Sequence, residues 1–151
     1  MLNNKKGLCA GFTLIEVLLA LALVALLVGV SLPIYYTLFA KNNLDIAKNQ
    51  VAQSLGRASF LSSASDGDMT WGVKILLGSV IVFKGTNYAT GRDATYDEEY
   101  ATSSAVIPSG LTEVVFNKMT GLPQTTGTII LTSTNGEVRT ITINNKGAVS
   151  Y

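Results

Sequence analysis

The feature that most constrains this chain is an unbroken apolar run near its N-terminus. Residues 12–32 form a run of 21 residues in which all but four are clearly apolar. As an α-helix at about 1.5 Å per residue, the run is roughly 31 Å long, which matches the hydrocarbon core of a bilayer. The segment 72–83 is shorter and contains Lys74, so it is interpreted as two strands. The chain is therefore expected to cross a membrane once.

The charges around this run predict its orientation. Lys5 and Lys6 precede it, and basic residues that flank a membrane span stay on the cytoplasmic side. The N-terminus is therefore expected in the cytoplasm and the chain from Ile34 onward outside it. The whole chain has 11 basic and 10 acidic side chains, without the basic excess of nucleic-acid-binding domains. A nucleic-acid partner is therefore not expected.

Two ordinary explanations of the run leave something unexplained. A secretory signal has a shorter apolar region followed by small residues at a cleavage site, which residues 31–33 do not provide. A plain membrane anchor fits the hydropathy but leaves Glu16 unaccounted for, because a carboxylate in an apolar helix costs about 2–3 kcal/mol. Such a residue indicates a functional contact.

The segment that leads into the run has a recognisable pattern. Residues 5–17 read KKGLCAGFTLIEV and resemble the cleavage and methylation site of type IV prepilins and type II secretion pseudoprepilins. The resemblance implies that residues 1–11 are a leader, that a membrane-embedded prepilin peptidase cuts after Gly11, and that Phe12 is then N-methylated. It also implies that the helices of residues 12–32 pack together in a filament, with Pro33 matching the proline of the family's first helix.

Cleavage after Gly11 would give Glu16 a partner. The new amine of Phe12 lies one helical turn away, and in a bundle the carboxylate of Glu16 would neutralise the amine of an adjacent subunit. Two charges removed from water are tolerated only when they are paired, so this contact would set the register between subunits. The alternative is that Glu16 extends its carboxylate to the membrane interface of a solitary anchor.

Beyond Pro33 the helical pattern continues to about Ala64. Apolar residues recur at three- and four-residue steps, which predicts an amphipathic helix over 33–64 that lies on a sheet. The predicted apolar stripe comprises Leu44, Ala47, Val51, Leu55, Ala58 and Leu61. Because proline lacks an amide proton, Pro33 is expected to kink or open the helix, or to break it between membrane and head.

Strand and turn signals fill the β-rich head, residues 65–151. Strands are predicted over 71–77, 80–83, 111–116, 128–134, 137–144 and 148–151. The dipeptides Gly78-Ser79 and Asn135-Gly136 lie between neighbours in this set and predict two hairpins. The predicted fold is α+β, a long N-terminal transmembrane and amphipathic helix packed on an antiparallel β-sheet head.

The order of features in the head resembles one subgroup of the family, the H-type minor pseudopilins and their fimbrial T relatives. The shared features are Trp71-Gly72-Val73, Phe116, Gly121, the strand 139–144 and Gly147. Fimbrial T proteins that take up DNA have arginines near the C-terminus, where this chain has only Lys146. DNA binding is therefore not implied.

Residues 85–108 are predicted to be the least regular connection. They hold three tyrosines and the acidic run 97–99, and long loops often carry function. The favoured interpretation of residues 97–99 is a solvated acidic loop. Their hard carboxylate ligands leave Ca²⁺ binding open, although the spacing is not that of a calcium-binding loop.

The residue types point away from catalysis. The chain has no histidine, and its one cysteine, Cys9, lies in the predicted leader. The commonest general bases, thiol nucleophiles and soft metal ligands are therefore missing from the predicted mature chain. Neither an enzymatic activity nor a cofactor or metal is expected.

Two classes of function remain open. The first is a structural subunit, a pilin or minor pseudopilin, of a type IV pilus or type II secretion filament. The second is a tip or minor pilin that binds DNA, a surface or secreted cargo. The implied partners are other pilin or pseudopilin subunits, the prepilin peptidase, the inner-membrane assembly platform and membrane lipid.

The expected location follows from the same resemblance. The chain is expected as a single-pass membrane protein and then in a pilus or pseudopilus, on the cell surface or in the periplasm. Pilus, secretion and competence machines are not distinguished by these residues.

Overall fold

The structure is a computed structural model that describes residues 11–150, except for the side chains of residues 30–34. Residues 1–10, which include Lys5, Lys6 and Cys9 of the predicted leader, lie outside the described residues, and so does Tyr151. The chain divides into two compact units, the first ending at Tyr36 and the second beginning at Thr37.

A single long helix, α1, extends over Leu14–Ser63. Five of the six residues of the predicted apolar stripe are buried and the sixth, Leu61, is half-buried, so the amphipathic helix is confirmed. Helix α1 ends where Ser65 adopts a left-handed conformation, and a short 3₁₀ turn, Asp66–Asp68, follows. The buried hydroxyl of Ser62 accepts a hydrogen bond from the amide of Trp71, which ties the end of the helix to the first strand.

Within residues 11–150, eight strands form two antiparallel four-stranded sheets. The first sheet has the order β3-β2-β1-β5, from Arg92–Ala101, Ser79–Gly85, Trp71–Leu76 and Glu113–Phe116. The second has the order β4-β6-β7-β8, from Val106–Gly110, Gly127–Ser133, Val138–Ile143 and Val149–Ser150. The predicted α+β fold, with a helix packed on antiparallel sheets, is confirmed.

Both sheets bury their inner faces against α1 in one apolar core. The strand residues in this core are Trp71, Val73, Ile75, Val80, Val82, Val106, Val114, Phe116, Ile129, Leu131, Ile141 and Ile143. Alternate residues along each strand point to opposite faces, which is why these positions recur at a spacing of two.

The two predicted hairpins are present with different turns. The β1–β2 turn consists of Leu77 and Gly78, because Leu76 pairs with Ser79. Between β6 and β7 the loop has three residues, 134–136, since the amide of Ser133 bonds to the carbonyl of Glu137. Gly136 has a φ of 83°, and a left-handed third residue is the usual end of a three-residue hairpin loop.

The prediction of an irregular connection over 85–108 was wrong. Most of it forms β3 and the start of β4. Strand β3 is an edge strand and buries little, so it lacks the apolar alternation that identifies inner strands. It also has a bulge, because four residues, 94–97, lie between the residues paired with Val82 and Lys84.

The outer face of the first sheet has a small core of its own. Ile81, Phe83 and Val115 are buried there beneath Tyr88, which belongs to the loop 86–91. The rings of Phe83 and Tyr88 meet edge to face at a centroid distance of 5.6 Å. The ring of Tyr88 also contacts Arg92, whose guanidinium lies 3.8 Å from the ring centroid. We call the loop 86–91 the strap.

The outer face of the second sheet is not covered by any other element among the described residues. It carries only uncharged side chains: Ile107, Ser109, Thr128, Ile130, Thr132, Val138, Thr140, Thr142 and Ser150. The hydroxyls of Thr128 and Thr142 lie 3.4 Å apart on this face. We call it the threonine face.

Candidate assembly site

The predicted processing site lies directly before α1. Gly11 and Phe12 are exposed and non-helical, and a Cβ added at Gly11 would meet nothing within 4 Å. Thr13 caps the helix, since its hydroxyl and carbonyl oxygens accept the amide of Glu16 at 3.3 and 3.1 Å. Gly11 is thus a position where the fold itself accepts a larger residue.

Thr13 and Glu16 also form a helix-start pattern that the sequence analysis missed. A threonine followed three residues later by a glutamate is the capping box, in which glutamate or glutamine at the third helical position supports the first turn. Glu16 occupies that position in α1 and lies in the first turn, where negative charge is favoured by the helix dipole. Thr-Leu-Ile-Glu in the sequence was sufficient to identify it.

The structure brings Phe12 and Glu16 together. Both line an open groove of about 330 Å³ along the first turns of α1, together with the apolar residues Val17, Ala20, Leu21 and Val24. Apart from Glu16 the lining is apolar. A groove with one carboxylate among apolar side chains suits an apolar segment that brings a cation.

The apolar residues of the first unit are open to their surroundings. Every described side chain from Gly11 to Gly29 is exposed, and Phe12 and Leu14 retain 83% and 79% of their accessible surface. Contiguous exposed apolar surface of this extent marks a membrane or protein interaction.

Pro33 and the predicted membrane span are described only in part. The helical backbone is continuous through residue 33, while the side chain of Pro33 lies outside the described residues, so opening of the helix there stays a prediction. The predicted span 12–32 likewise includes residues 30–32, whose side chains are not described. No helix within the described residues is long and apolar enough to cross a membrane.

Ion pairs connect the second part of α1 to both sheets. Arg139 Nε lies 2.9 Å from Asp45 Oδ1, and Lys41 lies 3.4 Å from Glu137. On the first sheet Arg57 forms a two-point ion pair with Glu98, which also accepts the hydroxyl of Tyr100 at 2.9 Å. The hydrogen bonds from Arg57 lower the pKa of Glu98.

The acidic run 97–99 is divided between different partners. Asp97 Oδ2 lies 3.1 Å from Arg92, whereas Glu98 binds Arg57. Burial raises the pKa of Asp97 against the effect of Arg92. Among the described residues no cluster of three or more metal-ligating side chains occurs, and Ca²⁺ binding gains no support from this geometry.

A family comparison supports the reading of the N-terminal segment. Residues 6–32 match the model of the prokaryotic N-terminal methylation motif. The match supports a prepilin- or pseudopilin-type protein, and such a motif implies processing by a prepilin peptidase, membrane anchoring and assembly with other pilin subunits. It includes Gly11, Phe12 and Glu16 and ends before Pro33. Neither the curated proteins nor the solved structures include a match to this chain.

Proposed function

We propose that this chain is a structural subunit of an extracytoplasmic filament, a type IV pilin or a type II secretion pseudopilin. The observation that carries the proposal is the methylation motif at residues 6–32, which overlaps the start of α1, where every described side chain up to residue 29 is exposed. The head would then be displayed by the filament, and the chain would have no enzymatic role. Its order of strands and glycines favours an H-type minor pseudopilin or a fimbrial T relative.

The first step of the proposal is cleavage after Gly11 and methylation of Phe12. Gly11→Val is the informative variant, because a side chain at this position meets open space and leaves the fold unchanged. In cells with an active prepilin peptidase, intact-mass analysis should show N-methylated Phe12 as the wild-type N-terminus and an uncut Gly11→Val chain. A wild-type protein that retains Met1 in those cells would exclude the proposed processing.

The second step is pairing of Glu16 with the Phe12 amine of an adjacent subunit. Loss of one partner from a buried ion pair leaves the other charge uncompensated, at about 3–5 kcal/mol for each contact. Glu16→Ala should therefore reach the membrane with a folded head and fail to enter filaments. Sheared filaments or co-purified pseudopilin complexes provide the measurement.

Glu16→Gln separates pairing from helix capping. Glutamine satisfies the capping box but has no charge, so a capping role predicts normal assembly and a pairing role predicts impaired assembly. Glu99→Gln is the matched control, since it removes one exposed carboxylate from the head. Normal filament entry by both Glu16→Ala and Glu16→Gln would show that the helices assemble through apolar packing alone.

The second candidate function, a tip or minor pilin that binds DNA, a surface or cargo, differs in abundance. A major subunit should dominate sheared filaments, whereas a tip subunit should be scarce in them. The exposed uncharged sheet face in the head is the observation that favours a contact role in addition to assembly.

A further inference from the structure

The threonine face is unusual because it contains no charged side chain. The chain has 21 charged residues, yet none of them points outward from the four strands of the second sheet. Arg139, the one charged residue within these strands, pairs with Asp45 of α1 instead. Solvent-facing strands usually include lysine or glutamate, which discourage association between sheets.

Aliphatic side chains lie among the hydroxyls of this face. Ile107 and Val138 lie at the two ends of one cross-strand row, with Thr132 between them, and are 54% and 46% exposed. Ile130 lies in the adjacent row, paired with Thr140 near the centre of the sheet. The result is a surface that mixes aliphatic and hydroxyl groups over both rows.

The geometry points to a second copy of this chain as the occupant, with two threonine faces packed on each other. A charged partner would lose hydration of its charges and find no opposite charge on the face. A second copy matches an uncharged face with an uncharged face by two-fold symmetry. Sheets stacked in this way pack about 10 Å apart through their facing side chains.

The size of the face determines when the contact would form. Four strands spaced about 4.8 Å apart, with 20 residues in total at about 3.3 Å per residue, cover about 320 Å² per copy. Two copies would bury about 640 Å², less than the roughly 1,200–2,000 Å² of stable interfaces. Isolated heads should therefore remain monomeric, and association should require many heads displayed together. If the proposed filament role holds, the contact would join neighbouring filaments side by side.

The test displays the full chain at high density without requiring processing or a filament. Detergent-solubilised protein with an N-terminal histidine tag is captured on nickel beads, and bead agglutination is followed by light scattering. Wild-type beads should agglutinate above a threshold density and to the same extent in low and high salt, because the contact contains no charge. Failure of wild-type beads to agglutinate at saturating density would overturn the inference.

A charge-swap pair identifies the contact. Thr140→Lys and Thr140→Glu each place like charges opposite one another near the two-fold axis, and each should raise the threshold density at least about tenfold. Mixing the two kinds of bead should restore the threshold to within about twofold of wild type, because opposite charges then meet. Thr95→Lys and Thr95→Glu, at an exposed position of β3, are the matched controls and should behave as wild type.

The remaining outcomes also decide the question. Normal agglutination by both Thr140 variants, or loss of agglutination that mixing does not restore, would exclude face-to-face packing. Retention of wild-type protein on amylose resin, lost in Thr140→Lys, together with no agglutination of beads, would assign the face to uncharged polysaccharide instead. The bead assay is independent of Gly11 cleavage, so its failure differs from failure of the filament proposal.

Discussion

The outer faces of the two sheets in the head differ in their side chains and in whether another segment covers them. On the first sheet Ile81, Phe83 and Val115 form an apolar patch, which the chain covers with its own strap. On the second sheet the side chains are smaller and uncharged, and within the described residues they remain uncovered. The strongly apolar outer face of the first sheet is covered by a segment of the same chain. The outer face of the second sheet, with threonines and scattered aliphatic side chains, is polar enough to remain exposed to solvent and accessible to another molecule.

The contact of Phe83 with Gly72 explains how the first sheet closes so tightly. A Cβ at Gly72 would lie 2.5 Å from Phe83 Cζ, so the ring occupies the space that a side chain at residue 72 would need. The two residues pair across β1 and β2. A glycine in an inner strand is weak on its own, and the ring packed over it compensates.

The largest expected difference between the faces is in stability. Phe83→Ala removes a fully buried ring and should lower the free energy of unfolding by about 3–5 kcal/mol. The matched variant Ile130→Ala, on the threonine face, should cost less, about 1–2 kcal/mol, because Ile130 is only partly buried and has fewer carbons to lose. Urea unfolding of the full chain in detergent, followed by the fluorescence of the single tryptophan, Trp71, provides the measurement. Equal losses would contradict the distinction between a closed and an open face.

The next largest effect should come from opening the strap. Tyr88→Ala removes the ring that contacts both Phe83 and Arg92, and should destabilise the head by about 1–2 kcal/mol. Because Phe83 then becomes accessible, binding of a hydrophobic dye should increase. Tyr88→Phe keeps the ring and should behave as wild type in both measurements. Unchanged dye binding in Tyr88→Ala would mean that the strap does not close this face.

A smaller effect concerns the inner side of the same sheet and depends on pH. Since Arg57 lowers the pKa of Glu98 below its ordinary value of 4.5, the folded chain holds this proton less tightly than the unfolded chain does. The carboxylate therefore stabilises the head above that ordinary value, and the stabilisation is lost as pH falls through the lowered pKa.

Glu98→Gln tests this linkage. The variant should be less stable than wild type by up to about 1 kcal/mol at pH 7, because the ion pair is partly exposed, and the difference should shrink in acid. Glu99→Gln, which removes an exposed neighbour, should show little difference at either pH. Urea unfolding near pH 7 and near pH 3 checks this, and a difference that grows in acid would contradict the assigned sign.

For reductant we expect no effect on the stability of the head. The second unit contains no cysteine, so its stability should be indifferent to dithiothreitol. A fragment of residues 41–151 should be soluble, folded and monomeric, and its melting temperature should be unchanged by reductant. An unfolded fragment by circular dichroism would place the boundary of the head elsewhere, and a stable dimer would contradict the small area of the threonine face.

Much of the architecture could be predicted from the sequence, since its signals are local. The apolar stripe from Leu44 to Leu61 predicts the helix, and Asn135-Gly136 predicts a hairpin because glycine tolerates the left-handed residue that the loop requires. The one-residue shift of the β1–β2 turn was missed, because Leu77 gives no turn signal and its place follows from the pairing of Leu76 with Ser79.

Other features depend on contacts that no local pattern records. Strand β3 is rich in acids, and Glu98 is held there by Arg57, which is 41 residues earlier in the chain. The strap determines which sheet face is covered. No pattern in the sequence around Tyr88 predicts that its ring packs on Phe83. At the candidate assembly site the roles of Gly11, Phe12 and Glu16 stay predictions from the sequence, whereas the groove lined by Phe12 and Glu16 is visible only in the three-dimensional structure.

The bulge in β3 is a place in the head where residues could be inserted. Residues 94–97 have no paired residues on β2, while the strand segments on both sides keep their register through Lys84 and Val82. An insertion after the exposed Thr95 would enlarge the bulge and leave both paired segments aligned. An epitope or a fluorophore-accepting peptide placed there would label the head and leave the threonine face and the N-terminal helix unchanged.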